Sequence, residues 1–113
     1  MQFLMLVLTE EIGADAPEGT GMPIDEWGDT HERSGVNLMG SRLRPATQAR
    51  TVRQRRGGLV VTDGPFAETH EAIAGFDILE CESWEQAIDV AAGHPMAYEG
   101  VIELREFWPF EED

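Results

Sequence analysis

Hydrophobic and polar positions alternate along most of this chain in short runs that predict strands. The first run, Gln2–Thr9, is apolar on both faces, which indicates a central strand of a sheet. Two later runs surround Arg56-Gly57-Gly58 and therefore predict a β-hairpin, with glycine where a positive φ is needed. In all, strands after the first are predicted over residues 36–43, 49–55, 59–62, 75–82 and 101–107.

Two helices are predicted between these strands. The first covers residues 23–34 and ends at Gly35. Ile24, Trp27 and His31 share one of its faces, because residues three and four positions apart are neighbours on a helix. This spacing directs His31 towards the core or towards a pocket.

The second helix has clear start and stop signals. Ser83 is its predicted N-cap and Gln86 completes a capping box. Gly93 is the expected C′ residue, and Pro95 prevents continuation. The face towards the core is predicted to carry four apolar residues, Trp84, Ala87, Ile88 and Ala91.

The order of these elements predicts one domain over residues 1–113 of the α+β class. Helices interleaved with antiparallel strands favour a ferredoxin-like sheet with two helices on one face. The other face would stay uncovered, and two copies packing those faces together would bury it. We therefore expect a homodimer.

Cysteine usage and hydropathy place the chain in a reducing compartment. Cys81 is the single cysteine and lies in the alternating strand 75–82. It shares a face with Asp77 and Leu79, opposite Phe76, so we expect a buried and inert thiol. No apolar run approaches the length of a membrane span, and no signal peptide is recognised, so the expected location is cytoplasmic.

Charge is distributed unevenly along the 113 residues. The net charge of −14 argues against nucleic-acid binding, which needs a dominant positive field. Seven of the eight basic residues, all arginines, fall within residues 33–56. One interpretation is a solvated surface with a basic band. The other is a band that attracts an acidic small molecule or the acidic ends of a partner copy.

The motif VVTDGPFAETHE at residues 60–71, followed by Gly75-Phe76, resembles the YCII-related family in its DGPF branch. The closing Ile102-Glu103-Leu104-Arg105 is similar to the end of that pattern. The resemblance implies a ferredoxin-like fold, a dimeric α+β barrel and a pocket edged by the motif loop. It also implies relatives that act as lyases or dehydrochlorinases with a His–Asp pair, and relatives encoded beside extracytoplasmic-function sigma factors.

The chain departs from the family pattern at three positions. His70 stands where the family usually has lysine, and Glu106 stands where proline commonly follows the arginine. His94 precedes Pro95 where the wider family has an acidic residue. The family's His–Asp pair therefore cannot be copied onto this sequence, and its members must be sought elsewhere.

The histidines are the candidate acid–base groups. His94 follows the second helix, whose C-terminus would raise the pKa of the imidazole, although capping of the last carbonyls is an alternative role. His31 is either a satisfied core residue or a base oriented by Asp63 or Glu68. His70 is either exposed or a cation for an acidic ligand. No spacing typical of a metal site occurs.

Two hypotheses follow. The first is a cofactor-independent lyase or isomerase acting on a small molecule, with an Asp-Gly-Pro loop that is more than a tight turn. The second is a non-catalytic, dimeric ligand-binding or regulatory protein linked to a sigma-factor pathway. For the enzyme, the predicted catalytic residues are His94, Asp63, His31 and Glu68, and the predicted substrate-binding residues are Phe66, Thr69, His70 and Arg105.

Overall fold

The computed structural model describes residues 1–65 and 72–112 of the chain. In these ranges it contains a four-stranded sheet, a separate two-stranded hairpin and three α-helices. In chain order the elements are β1 Gln2–Thr9, α1 Ile24–Arg33, β2 Asn37–Arg42, β3 Arg50–Arg55, β4 Gly58–Asp63, β5 Ala72–Glu80, α2 Trp84–Ala92, α3 Pro95–Glu99 and β6 Gly100–Glu106.

The strand order of the main sheet is β2-β5-β1-β6, and every neighbouring pair is antiparallel. Strands β3 and β4 pair only with each other in the described chain and form an insertion between β2 and β5. With that hairpin set aside, the order is compatible with the ferredoxin-like type. The predicted α+β class with an antiparallel sheet is confirmed.

Most predicted elements lie where the sequence placed them. Strand β1 has the predicted bounds. The hairpin turns at Arg56-Gly57, and β4 then begins at Gly58, whose φ of 115° favours glycine. Strand β5 begins three residues earlier than predicted, because its pairing with β1 extends to Ala72 opposite Thr9. Helix α1 begins one residue later than predicted, so Pro23 is its N-cap.

The link between α2 and β6 differs from the prediction. Gly93 has a φ of −81°, so it does not adopt the left-handed conformation of a C′ glycine. Pro95 ends α2 as predicted, but it also begins a short helix, α3, that the hydrophobic pattern did not indicate. A proline at the first helical position is well suited to this role.

Helix α2 begins with the predicted cap. The Ser83 hydroxyl accepts a hydrogen bond from the backbone N–H of Gln86 at 3.1 Å. Gln86 Oε1 in turn accepts from the backbone N–H of Glu82 at 2.7 Å, one residue before the position a capping box uses. Two of the otherwise unsatisfied donors around the helix start are thus paired.

The core lies between one face of the sheet and helices α1 and α2. Trp27 of α1 is 2% exposed, and its indole N–H donates to the Val90 carbonyl of α2 at 2.9 Å. On α2, Ala87 and Ala91 are buried as predicted. Val90 completes the buried face instead of the exposed Trp84 and Ile88, so the predicted stripe was half wrong. The buried core residues are Phe3, Met5, Val7, Trp27, Val36, Leu79, Cys81, Ala87, Val90 and Ala91.

Cys81 is buried as predicted, at 3% exposure, and burial raises the pKa of its thiol. An inert thiol fits this environment, because the thiolate is the reactive form. Within residues 1–65 and 72–112, no helix is both long enough and apolar enough to cross a membrane.

Candidate functional site

A cavity of about 370 Å³ lies where α1 and the start of α3 meet strands β2 and β5. Its size is within the range of small-molecule pockets. Apolar residues such as Val7, Trp27 and Met96 form most of its wall. The polar residues that line it on the helix side of the sheet are few: Asn37, Arg42, Asp77 and His94.

His94 is 4% exposed and is the N-cap of α3. Its Nδ1 accepts a hydrogen bond from the Met96 amide at 3.0 Å. A ring nitrogen that accepts from an N–H is unprotonated, so the neutral ring carries its proton on Nε2. The nitrogen that remains for a ligand is therefore a donor.

Burial lowers the pKa of the His94 imidazole below its ordinary value. The sequence had predicted a raised pKa from the carboxyl end of α2, and that prediction was wrong. Two features of the site oppose protonation of the His94 ring. The ring is removed from water, which disfavours the imidazolium, and the N–H of Met96 occupies the atom that would be protonated.

Trp27 separates two histidines. Its ring centroid lies 4.8 Å from that of His94 and 4.9 Å from that of His31, with edge-on geometry in both contacts. The indole is held in place by its hydrogen bond to Val90. Trp27 therefore packs against both imidazole rings, and of the two histidines His94 is the one that lines the cavity.

Asp77 is the second titratable group of the cavity. It lies on β5 opposite Met5 of β1, which places it on the face of the sheet that the helices cover. Its Oδ1 accepts a hydrogen bond from Asn37 Nδ2 at 3.0 Å. Burial raises the pKa of the Asp77 carboxyl, and the hydrogen bond from Asn37 opposes this shift without cancelling it.

Gly40 makes room for the Asp77 side chain. The two residues are opposite each other in the β2–β5 register. A Cβ at position 40 would overlap the carboxylate, lying 2.8 Å from its Cγ, and would also lie 2.9 Å from the carbonyl oxygen of Phe76. The carboxyl group therefore depends on a glycine in the neighbouring edge strand for its position.

The cavity thus combines an apolar wall with two ionisable groups, and burial favours the uncharged form of both. Paired shifts of this kind are typical of sites that transfer protons. Arg42 belongs to the basic band of residues 33–56. It lines the same cavity and could contact an acidic group of a ligand. Among residues 1–65 and 72–112, no three histidine, cysteine or acidic side chains come together to hold a metal ion.

Three predicted site residues lie away from the cavity. Asp63 ends β4 with 93% of its side chain exposed, and its carboxylate is 3.8 Å from Nε of Arg50. Arg105 is opposite Leu4 in the β1–β6 register, on the face of the sheet away from Asp77. His31 is half-buried against Trp27, and burial lowers the pKa of its imidazole.

Four further predicted residues, Phe66, Glu68, Thr69 and His70, lie outside the described residues. Of the predicted residues that the structure describes, His94 is at the cavity, and its partner there is Asp77, which the sequence analysis did not select. The signal for Asp77 was present in the alternation of β5, which puts a carboxylate on the face of Leu79. A carboxylate on the core side of a strand needs a partner or a function.

Comparisons with known proteins agree with the motif. A family model described as YCII-related domain matches residues 1–111. An uncharacterized protein of Rhizobium meliloti (strain 1021) is 47% identical over 51 residues, which are 45% of this chain and 41% of that protein. The chain thus aligns with less than half the length of that relative.

Proposed function

Because this chain belongs to the family of YCII-related domains, we propose that it binds a small molecule in the cavity beside β5 and exchanges a proton with it without an organic cofactor. The reaction class is that of a lyase or an isomerase. The observation that supports this proposal is the presence of His94 and Asp77 in one apolar cavity, each with a pKa moved towards its uncharged form.

His94 would stabilise negative charge on the ligand. Its Nδ1 accepts the hydrogen bond from the backbone N–H of Met96, so the proton of the neutral ring is on Nε2. Nε2 could act as a base only if that proton moved to Nδ1, and the hydrogen bond from Met96 would then be lost. A neutral imidazole that donates to a carbonyl oxygen stabilises the oxyanion formed when a neighbouring C–H bond breaks. His94 is thus a hydrogen-bond donor in this proposal, in place of the acid–base group expected from the sequence.

Asp77 would carry the proton. A raised pKa brings the protonated and ionised forms closer in free energy near neutral pH, which is what proton transfer in both directions requires. Asp77 gives a proton to one ligand atom or takes one from another. An isomerisation needs both events on one molecule, and an elimination needs one of them with departure of a leaving group.

The test is deuterium exchange by small carbonyl compounds in D₂O, followed by ¹H NMR. The wild type is expected to catalyse exchange at the carbon beside the carbonyl of a compound that binds. Asp77→Asn should slow this exchange by about 10²–10⁴-fold while binding persists. His94→Asn should slow it too, and asparagine is a good N-cap residue that can still accept from the Met96 amide.

Asp89→Asn is the matched control, because Asp89 is exposed on α2 and should leave exchange unchanged. Binding of a compound without exchange by the wild type would overturn the enzyme proposal. It would favour the alternative, a non-catalytic dimeric binding or regulatory protein in a sigma-factor pathway.

We also propose that two copies pair through the face of the sheet that α1 and α2 leave uncovered. Leu6 and Phe76 are opposite each other on this face, as are Leu4 and Ile78, and all four are only partly buried. An apolar sheet face of this kind favours association. Sedimentation should give a dimer for the wild type and a monomer for Leu6→Glu.

Val52→Glu, on the exposed hairpin, is the control for that substitution and should leave the dimer intact. A wild-type monomer at micromolar concentration would contradict the dimer proposal.

A further inference from the structure

One polar atom beside the cavity lacks a partner. Asn37 Oδ1 is buried and has no hydrogen-bond donor in residues 1–65 and 72–112. The atom is shielded from solvent, so water in the cavity cannot reach it. The other end of the same amide, Nδ2, donates to Asp77 Oδ1 at 3.0 Å. Buried carbonyl groups are almost always paired, so this atom needs an explanation.

A protonated Asp77 supplies the missing donor. A neutral carboxylic acid has one oxygen that accepts and one O–H that donates. With Oδ1 accepting from Asn37 Nδ2, the hydroxyl can donate to Asn37 Oδ1, and the acid and the amide then form a ring of two hydrogen bonds. An ionised carboxylate has no proton to give, so the amide oxygen would stay unsatisfied beside a negative charge.

We propose that Asn37 is a positioning residue that holds Asp77 as a neutral carboxylic acid, so that Asp77 begins the reaction as the proton donor. This inference rests on the proposed function and gives a direction to its proton transfer. The Asp77 hydroxyl leaves Asn37 Oδ1 and turns to the ligand. Its O–H bond then breaks, the proton bonds to the ligand, and the electron pair stays on the carboxylate. The carboxylate then regains a proton from the ligand or from water.

The surroundings of Asp77 are consistent with a neutral acid. Burial raises the pKa of its carboxyl, and the hydrogen bond from Asn37 Nδ2 opposes this shift without cancelling it. The preference for the neutral acid therefore comes from burial and from the unsatisfied Asn37 Oδ1. Strand β1 places Met5 beside it and strand β2 places Gly40 beside it, so neither adds a charge there.

Within the described residues, three charged or titratable side chains line a pocket together with Asp77. Arg42 and His94 line the cavity, and Glu32 of α1 lines an adjoining groove together with Asp77. The positive charge of Arg42 would favour the ionised form of Asp77, and the negative charge of Glu32 would favour its neutral form. A neutral His94 adds no charge.

A neutral Asp77 also defines the ligand class. The cavity then offers the His94 Nε2–H as a donor, and the Asp77 O–H becomes a second donor when it leaves Asn37 Oδ1 for the ligand. The Asp77–His94 pair contributes no fixed negative charge. This arrangement favours a compound with an acceptor oxygen, such as a carbonyl compound, and gives a cationic amine no counter-charge at the pair.

The test is a ¹³C and ¹⁵N NMR titration of the wild-type protein. The Asp77 carboxyl carbon should titrate with a midpoint above the ordinary aspartate value. The Asn37 Cγ and Nδ2 signals should change with the same midpoint, because one hydrogen bond of the ring is lost on ionisation. The control is Asp89→Asn, at an exposed position of α2, which should leave the midpoint of the Asn37 signals unchanged.

Infrared spectra separate Asn37 from general burial. At a pH below the midpoint of the Asp77 titration, the wild type should show the C=O band of a protonated acid in a buried site, which Asp77→Asn removes and Asp89→Asn keeps. Asn37→Leu should move this band to higher frequency, because the acid loses its hydrogen-bonded partner. A midpoint at or below the ordinary aspartate value, or an Asn37 signal that ignores Asp77, would overturn the proposal. Neither result affects the loss of exchange expected for Asp77→Asn, so the two proposals fail separately.

Discussion

The two faces of the four-stranded sheet are both apolar along β1 and yet have different surroundings. Towards the helices, alternate residues of β1 are 0–7% exposed. Their neighbours on the opposite face are only partly buried. The helix-facing residues are Phe3, Met5 and Val7, and those on the other face are Leu4, Leu6 and Leu8. Alternation thus assigns each side chain to a face, but it does not say what covers that face.

The helix-covered face is itself uneven. Near Phe3 and Leu79 it is closely packed, and both residues are fully buried. Near Asp77 and Asn37 the helix and the sheet separate and leave the cavity. The same side of the sheet therefore contains the core at one end and the candidate site at the other, so substitutions along β5 can distinguish them.

The largest effect is expected for Leu79→Ala. Leu79 is 0% exposed, so its truncation removes buried apolar contacts and leaves a cavity, which costs about 2–5 kcal/mol of unfolding free energy. Ile78→Ala, the next residue along β5 and on the opposite face, should cost about 1 kcal/mol in a monomer. Urea unfolding measures both values.

The same unfolding free energies measured at several protein concentrations also test for a dimer. If two copies pair through the uncovered face, the cost of Ile78→Ala should grow with concentration, because a dimer is stabilised by mass action. The loss of unfolding free energy caused by Leu79→Ala should not change with concentration. A cost of Ile78→Ala that does not change with protein concentration would contradict pairing through the uncovered face.

The cavity end should show an unusual dependence on pH. The pKa of His94 is lower in the folded chain than its ordinary value of 6.5, so the unfolded chain binds more protons below that pH. Wild-type stability should therefore fall as the pH drops below about 6.5. His94→Asn removes this contribution and should flatten that part of the profile, measured by urea unfolding. An unchanged profile would mean that burial does not affect the titration of His94.

Asp77 should act in the opposite direction over a different range. Its folded pKa is above the ordinary value of 3.8, so the stability that it contributes is present below that pH and is lost as the pH rises towards the folded pKa. Relative to the wild type, Asp77→Asn should therefore become more stable as the pH rises to neutral. Asp89→Asn should show no such trend. A variant that loses relative stability over this range would contradict a raised pKa.

The sequence predicted the fold better than the site, for identifiable reasons. A continuous apolar run located β1, and the glycines between two apolar runs located the hairpin. Alternation put Asp77 on the face of Leu79, because a period of two is a direct consequence of strand geometry. That Asp77 and His94 line the same cavity depends on packing between elements distant in sequence, which no local pattern encodes.

Two local signals left part of the structure out. Asp63 was selected because the Asp-Gly-Pro loop was expected to be more than a tight turn, and the structure places its carboxylate in solvent at the base of the hairpin. His94 follows α2 as predicted, but Pro95 also begins α3 and makes His94 its N-cap. A five-residue helix is too short for a hydrophobic period to reveal it.

The smallest expected effect distinguishes packing from function within α1. Gly28 lies in the interior of the helix and lines both the cavity and the adjoining groove. A Cβ added there would meet no described atom within 4 Å, so close packing does not require glycine. Since alanine is a better helix former than glycine, Gly28→Ala should stabilise the protein by about 1 kcal/mol. Thermal unfolding measures this gain.

The same methyl group would narrow the space beside Trp27. Acrylamide, a small neutral amide, can be used to measure access through quenching of Trp27 fluorescence in a Trp84→Phe, Trp108→Phe background. Gly28→Ala should reduce that quenching, whereas Thr30→Ala, at an exposed position of α1, should leave it unchanged. A gain in stability together with reduced access would show that α1 accepts a weaker helix in order to keep the cavity open. A gain in stability with unchanged access would remove the reason for glycine at this position and weaken the case for a ligand at this end of the sheet.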